Sequence, residues 1–237
     1  MPVGAVATRQ HRAPRTGRSP VGARSRASLA ARRTWPYARR VPIDAGSGTS
    51  APFEQARASL ESARIRSDLV VTSIPSPTQV APYSVALAGD VRQKVHGEDS
   101  ELGTGRFILL HDPEGQPAWD GDFRIVCFAQ APLEAEIGTD PFLAEVTWSW
   151  LTDALDARGA KYTAASGTAT TIVSTGFGEL ADQGTGAKIE LRASWTPTDL
   201  DLAAHVEGWG ELLCMLAGLP PAAEGVSVLS VRRAGRD

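Results

Sequence analysis

The stretch RFILLHDPEGQPAWDGDFRIVC, Arg106 to Cys127, gathers the residue types that do chemistry. His111, Asp112, Asp120 and Asp122 lie close together in it. An imidazole beside carboxylates can work as general base and acid, or help to hold a divalent cation. The spacing departs from the alternating acidic pattern of a calcium loop. Turn chemistry explains part of it as well. Asp112-Pro113-Glu114-Gly115 has Asp first, Pro second and Gly fourth, a type I turn pattern, and Asp120-Gly121 reads as a second turn. His111, Asp112 and Asp120 are therefore the catalytic candidates, set against a turn reading that needs no catalysis. Trp119, a large aromatic on the same loop, is a candidate binding residue.

Other chemistries find less support. The histidines are His11, His96, His111 and His205, and none pairs with Cys127 or Cys214 at zinc-ligand spacing. His205 falls on the flank of an apolar helical stripe. A nucleophile elbow GxSxG is absent, and Ser166 in AASGT lies early in a strand. Cys127 and Cys214 sit within apolar patterns, as buried free thiols do. The glycines of LGTGRF and GFGELADQGTGAK precede strands, whereas phosphate loops precede helices. No metal and no cofactor are expected.

Charge is split along the chain. Ten of the 24 basic residues and one of the 27 acidic ones lie in residues 1–50. That segment carries +9 and the remainder −12, against −3 for the whole chain. The first fifty residues are rich in Arg, Ala, Pro, Ser and Gly and cannot bury enough surface to offset their ordering entropy. They read as a disordered Arg-rich arm, and 225–237 as a disordered basic tail. A nucleic-acid arm, a targeting segment and an upstream start codon all fit the arm; its lack of lysine favours a mistaken start or an inert tail. The −12 on the remainder disfavours nucleic-acid binding except weakly through the arm. No apolar run is long enough to span a membrane, so no membrane association and a cytoplasmic location are expected.

The elements that position these residues follow from periodicity. A helix is expected over Pro52–Arg66, with Ser50 as cap, and a strand over Asp68–Ile74. A second helix is expected over Pro82–Val95, with Tyr83, Leu87, Val91 and Val95 at four-residue spacing. His96–Leu102 reads as a polar loop. Arg106–His111 and Asp122–Gln130 form a hairpin, followed by a helix over Asp140–Arg158 closed by Gly159. Thr163–Ser174 and Ala187–Thr196 are strands, joined by the glycine-rich loop Gly176–Gly186. Ala187, Ile189, Leu191, Ala193 and Trp195 take one face of the second strand; Lys188, Glu190, Arg192 and Ser194 take the solvated one. The last helix spans Asp199–Ala217, closed by Gly218. The matched spacing of Trp150 to Gly159 and Trp209 to Gly218 points to a repeated strand-strand-helix unit. The fold class is α+β: an antiparallel sheet of about four to five strands, two strand-strand-helix units with helices packed on it, and one or two N-terminal helices. It forms a single domain over 51–224.

Trp148 and Trp150 ask a separate question. On a helical wheel Trp150 falls with Leu143, Val146 and Ala154, a core stripe, while Trp148 lies about 160° away. Leu151 and Leu155 bridge the gap, so the apolar arc covers more than half the helix. Something must cover Trp148: the N-terminal helices of the same chain, which are favoured, a second subunit, or a partner. Trp148 is therefore the second candidate binding residue.

The segments ELGTGRFILLHDPEGQPAWDGDFRIVCF, TDPFLAEVTWSWLTDALDARGAKYTAASGT and IELRASWTP resemble an uncharacterised actinobacterial family, domain of unknown function 3000, over Phe53–Glu224. The resemblance implies no known activity and carries over no catalytic residue. Its genes often lie beside one resembling ribonuclease D, which implies at most an accessory role in RNA processing. The reading that results is a cytosolic, non-catalytic protein-interaction or regulatory domain with a protein partner. The alternatives are an enzyme using the His111/Asp112/Asp120 hairpin and an RNA-processing accessory.

Overall fold

From Tyr83 the side chains alternate. Tyr83, Val85, Leu87, Gly89 and Val91 take one face; Ser84, Ala86, Ala88, Asp90 and Arg92 take the other. The computed structural model describes Val41 and residues 50–95 and 98–220, with 93–101 by backbone alone. In it this segment is a strand, β2 (Tyr83–Val95), and the helix expected over Pro82–Val95 is corrected. Four-residue spacing is two strand repeats as well as about one helical turn, so it could not separate the two. Gly89 and the β-branched residues around it tip the balance, since Gly costs about 1 kcal/mol inside a helix.

The order is α1 (Ala51–Ser62), β1 (Leu69–Ile74), β2, β3 (Glu98–Gln116), β4 (Gly121–Leu133), a short α2 (Ala135–Gly138), α3 (Leu143–Ala157), β5 (Tyr162–Thr175), β6 (Thr185–Pro197) and α4 (Leu202–Leu216). The strands form one antiparallel sheet in the order β1-β2-β3-β4-β6-β5. The class is α+β as expected, with six strands rather than four to five because β2 is one. Part of the expected loop His96–Leu102 is strand too: backbone pairing with β2 runs from Glu98. The arm and the tail 225–237 lie outside the described residues, apart from Val41 and Ser50.

The hairpin reverses later than expected. Asp112–Gly115 is an irregularity within β3, and the turn is Pro117–Asp120, closed by the pair Gln116↔Gly121. Asp120 adopts a left-handed backbone at φ 57, which Asp tolerates better than most residues. The Asp112 carboxylate accepts from the Glu114 N–H at 3.1 Å. That local bond shapes a bulge where the turn pattern promised a reversal.

The repeated unit is visible as β3-β4-α3 and β5-β6-α4, joined where β4 pairs with β6. Both helices have 15 residues. Each is closed by a left-handed glycine, Gly159 at φ 72 and Gly218 at φ 75. The next amide reaches back in each case, Ala160 to the Leu155 carbonyl at 3.0 Å and Leu219 to Cys214 at 2.9 Å, a Schellman closure.

All the long helices pack on one face of the sheet. That face is lined by the buried rows Val85, Leu87, Val91; Phe107, Leu109; Ile125, Cys127, Ala129; and Ile189, Leu191, Ala193, Trp195. α4 has twelve buried residues because it is enclosed by β2, β3, β4, α1 and α3. Its close approach rests on Gly89 and Gly105, which face each other across β2 and β3. A Cβ at Gly89 would lie 2.6 Å from Trp209 Cη2, and one at Gly105 2.7 Å from Leu213 Cδ2. The glycines leave the trough that Trp209 and Leu213 fill.

Candidate functional site

The hairpin candidates do not converge. His111 is buried, with its ring stacked on Phe123 at 4.1 Å and flanked by Tyr83 and Phe53. Its Nδ1 donates to the Asp122 carbonyl at 3.1 Å, which can only accept, leaving Nε2 to accept from the Ser50 hydroxyl at 3.0 Å. Both ring nitrogens are thereby spent on structural bonds. Asp112 lies on the opposite side of β3 and holds Gln116 Nε2 at 3.1 Å as well as the Glu114 amide. Asp120 is an exposed turn residue, and Asp122 meets His111 through its backbone carbonyl, not its carboxylate. Among the described residues no three His, Cys, Asp or Glu side chains gather as a metal site would need.

Trp119 is buried, at 8% exposure, in a small cluster with Ala81 and Leu110 that caps one end of the helix-free face. Its carbonyl accepts from the Thr196 hydroxyl. Trp148 is half-buried, packed against the chain's own core. Its ring lies over Gly167 in the edge strand β5, where a Cβ would stand 2.7 Å from Cζ3. The buried stripe of α3 is Leu143, Thr147, Leu151, Ala154 and Leu155. It passes between the two indoles, so Trp150 is half-buried and not the core residue that the wheel placed there.

The remaining surface of interest is the sheet face without helices. Its middle presents Arg106 from β3, Val126 and Phe128 from β4, Lys188, Glu190, Arg192 and Ser194 from β6, and Ser166 and Thr168 from β5. Val126 is 37% exposed. The Arg192 guanidinium stands 5.6 Å over the Phe128 ring, a cation–π contact. Shallow concavities of about 440 Å³, lined by Val126, Ser166, Thr168, Arg192 and Ser194, and about 460 Å³, lined by Thr104, Arg106, Phe128 and Arg192, flank that pair.

Arg124, 8% exposed, is bonded to two residues that line the first concavity, Ser166 and Ser194. Nη1 donates to the Ala164 carbonyl and to Thr196 Oγ1, both at 3.0 Å; Nη2 donates to Ser194 Oγ at 2.7 Å and reaches Ser166 Oγ at 3.4 Å. These acceptors are neutral. Burial pushes the Arg124 pKa down from its ordinary value, although a guanidinium stays charged in protein. The backbone is bent to serve it: β5 carries a register shift between Thr163 and Ser166, and Ala164 is left-handed at φ 49. That conformation costs a non-glycine residue about 1 kcal/mol or more.

Glu207 and Glu211 of α4 pair with Arg158 at 3.3 and 3.2 Å, and Glu211 with Arg66 at 3.0 Å. In the middle of the helix-free face Glu190 is held by both Lys188 at 2.9 Å and Arg192 at 3.0 Å. The middle of this face thus holds Arg106, Lys188 and Arg192 beside Glu190, with Asp90 bonded to Thr104 at 3.1 Å on its β2 side. Sequence reasoning set Ser166 aside as a nucleophile and did not single out Arg124 or Ser194. The available signal was an arginine set inside the apolar run FRIVCF, where strand alternation with few charges makes a cation conspicuous.

A family model described as Protein of unknown function (DUF3000) matches residues 49–227. No curated protein and no solved structure matches the chain.

Proposed function

The chain belongs to the DUF3000 family, and we propose that it is a non-catalytic interaction domain whose contact surface is the helix-free sheet face. The observation that carries this is the one-sided packing of the helices. It leaves Val126, Phe128, Arg106 and Arg192 in the middle of an antiparallel sheet without a covering layer among the described residues. Exposed apolar groups rimmed by arginine are the composition of a contact patch. The chain's own arm is a poor occupant, because its +9 charge would meet Arg106, Lys188 and Arg192. An acidic protein segment is the complementary partner.

Affinity purification on the full chain tests this, comparing wild type with Val126→Glu and Arg192→Glu. The expected result is a protein that co-purifies at low salt and is lost from both variants while their circular dichroism is unchanged. Equal recovery from wild type and variants sinks the reading. Recovery of RNA in place of protein, lost from the same variants, sinks it in favour of the RNA-accessory role.

A further inference from the structure

We infer that Arg124, Ser166 and Ser194, with Arg192 at the rim, form a subsite for a carboxylate of an acidic protein segment. This rests on the reading of the helix-free face as a contact surface.

Three features support it. The first is charge: Arg124, Lys188 and Arg192 lie around Glu190 in this part of the face, with Asp122 two residues before Arg124 on β4. Glu190 is held by two cations, so Arg192 can turn to an incoming carboxylate while Lys188 stays with Glu190. The second is proton direction. Ser194 Oγ accepts from Arg124 Nη2, and Ser166 Oγ lies within reach of the same nitrogen. An oxygen that accepts from a guanidinium directs its own proton away from it. The two hydroxyls are 3.5 Å apart and one can donate to the other, which leaves at least one O–H for the concavity. Hydrogen-bond chains polarise along their length, so a hydroxyl backed by a buried guanidinium is a stronger donor than a free serine. The third is access. Ser166, Ser194 and Arg192 line the 440 Å³ concavity, with Val126 and Thr168 beside them.

The donor set favours a carboxylate over a phosphate. A planar carboxylate is satisfied by one hydroxyl and one guanidinium fork. Phosphate sites usually add a helix N-terminus or a nest of backbone amides. Here the lining residues all lie on strands, and those of β6 pair on both sides, in the β4-β6 and β5-β6 ladders.

The test is an amide chemical-shift titration of the full, ¹⁵N-labelled chain at constant ionic strength. The titrants are hexaglutamate, hexaglutamine, free glutamate and inorganic phosphate. The expected result is saturable movement of Val126, Ser166, Thr168, Arg192 and Ser194 with hexaglutamate, none with hexaglutamine, and weaker movement with free glutamate. The double variant Ser166→Ala/Ser194→Ala should weaken hexaglutamate binding about tenfold or more. Arg192→Gln, on an exposed side chain, should do so too and keeps the test readable if the serine variant does not fold. Movement equal in wild type and both variants overturns the subsite, as does no movement at these amides. Movement with phosphate alone overturns the carboxylate assignment, and movement with glutamate as strong as with hexaglutamate overturns the protein segment as its source. If hexaglutamate fails while Val126→Glu still abolishes partner capture, the subsite falls and the interaction reading stands.

Discussion

The Ser50 hydroxyl donates to Nε2 of His111 at 3.0 Å, tying the residue before α1 to the third strand 61 positions later. The same imidazole is stacked on Phe123 at 4.1 Å and bonded to the Asp122 carbonyl. A histidine that looked like a general base in the sequence is a rivet between layers. His111→Ala removes a buried ring and strands the Asp122 carbonyl, so it should cost about 2–4 kcal/mol in urea unfolding. Ser50→Ala should cost about 1 kcal/mol. A stability change below the error of the measurement for His111→Ala would contradict this placement.

His205 should make stability depend on pH. It is fully buried on α4, and Trp195 Nε1 donates to its Nδ1 at 3.0 Å. The ring proton must then sit on Nε2, which is buried without a hydrogen-bond partner among the described atoms. Burial pulls its pKa down from 6.5 to about 4, against the opposing pull of Asp199 and Asp201. The folded state therefore binds fewer protons than the unfolded one between these values, and stability falls as pH drops from 6.5 toward 4. A shift of that size corresponds to about 3 kcal/mol across the window. Above pH 6.5 this contribution is complete and flat. Urea midpoints for wild type and His205→Gln, taken at steps through the window, check it. The variant should start less stable, because Trp195 loses its acceptor geometry, and should lose the slope; an unchanged slope would assign it to other groups.

The thiols should be silent in the native state. Burial raises the pKa of both Cys127 and Cys214 to about 12, and the thiolate is the reactive form. At pH 8 neither should react with a thiol reagent on the minutes timescale, and both should react once the protein is unfolded in urea. Rapid labelling of one native cysteine would mean that its element opens locally.

Legibility divided along physical lines. α3 and α4 were readable because their closing glycines and apolar spacing leave few alternatives. β6 was readable because Ala187, Ile189, Leu191, Ala193 and Trp195 alternate strictly and are buried as that pattern requires. β2 was not, since Tyr83, Leu87 and Val91 fit two periods at once; Gly89, disfavoured in a helix and packed under the Trp209 ring, sides with the strand. The stripe of α3 was misplaced toward Trp150 because a wheel reports apolarity, while burial also recruits Thr147, whose hydroxyl bonds back to the Leu143 carbonyl at 2.7 Å. The Arg124 cluster was illegible for a different reason. Arg124, Ser166 and Ser194 lie on three strands that only the β4-β6-β5 order brings together. No local pattern encodes that juxtaposition.

Gly89 and Gly105 carry the last prediction. They face each other across β2 and β3, and α4 rests in the trough they leave. Gly105→Ala places a methyl 2.6 Å from the Phe128 carbonyl oxygen, a backbone atom held in the β3-β4 ladder that cannot step aside cheaply. Gly89→Ala meets Trp209 Cη2 at the same 2.6 Å, and that ring is fully buried against Phe107 at 5.7 Å. Overpacking of this kind costs about 1–3 kcal/mol. The two variants should differ in kind. The Gly105→Ala methyl also meets Leu213 Cδ2 at 2.7 Å, and the Phe128 oxygen accepts from Trp209 Nε1. That variant should disturb the sheet and α4 together, seen as loss of amide protection at Phe128 along with changed tryptophan emission. Gly89→Ala should shift α4, seen as changed tryptophan emission with the sheet amides intact. Substitution by alanine at either position with unchanged stability would show that α4 does not sit as close to the sheet as described.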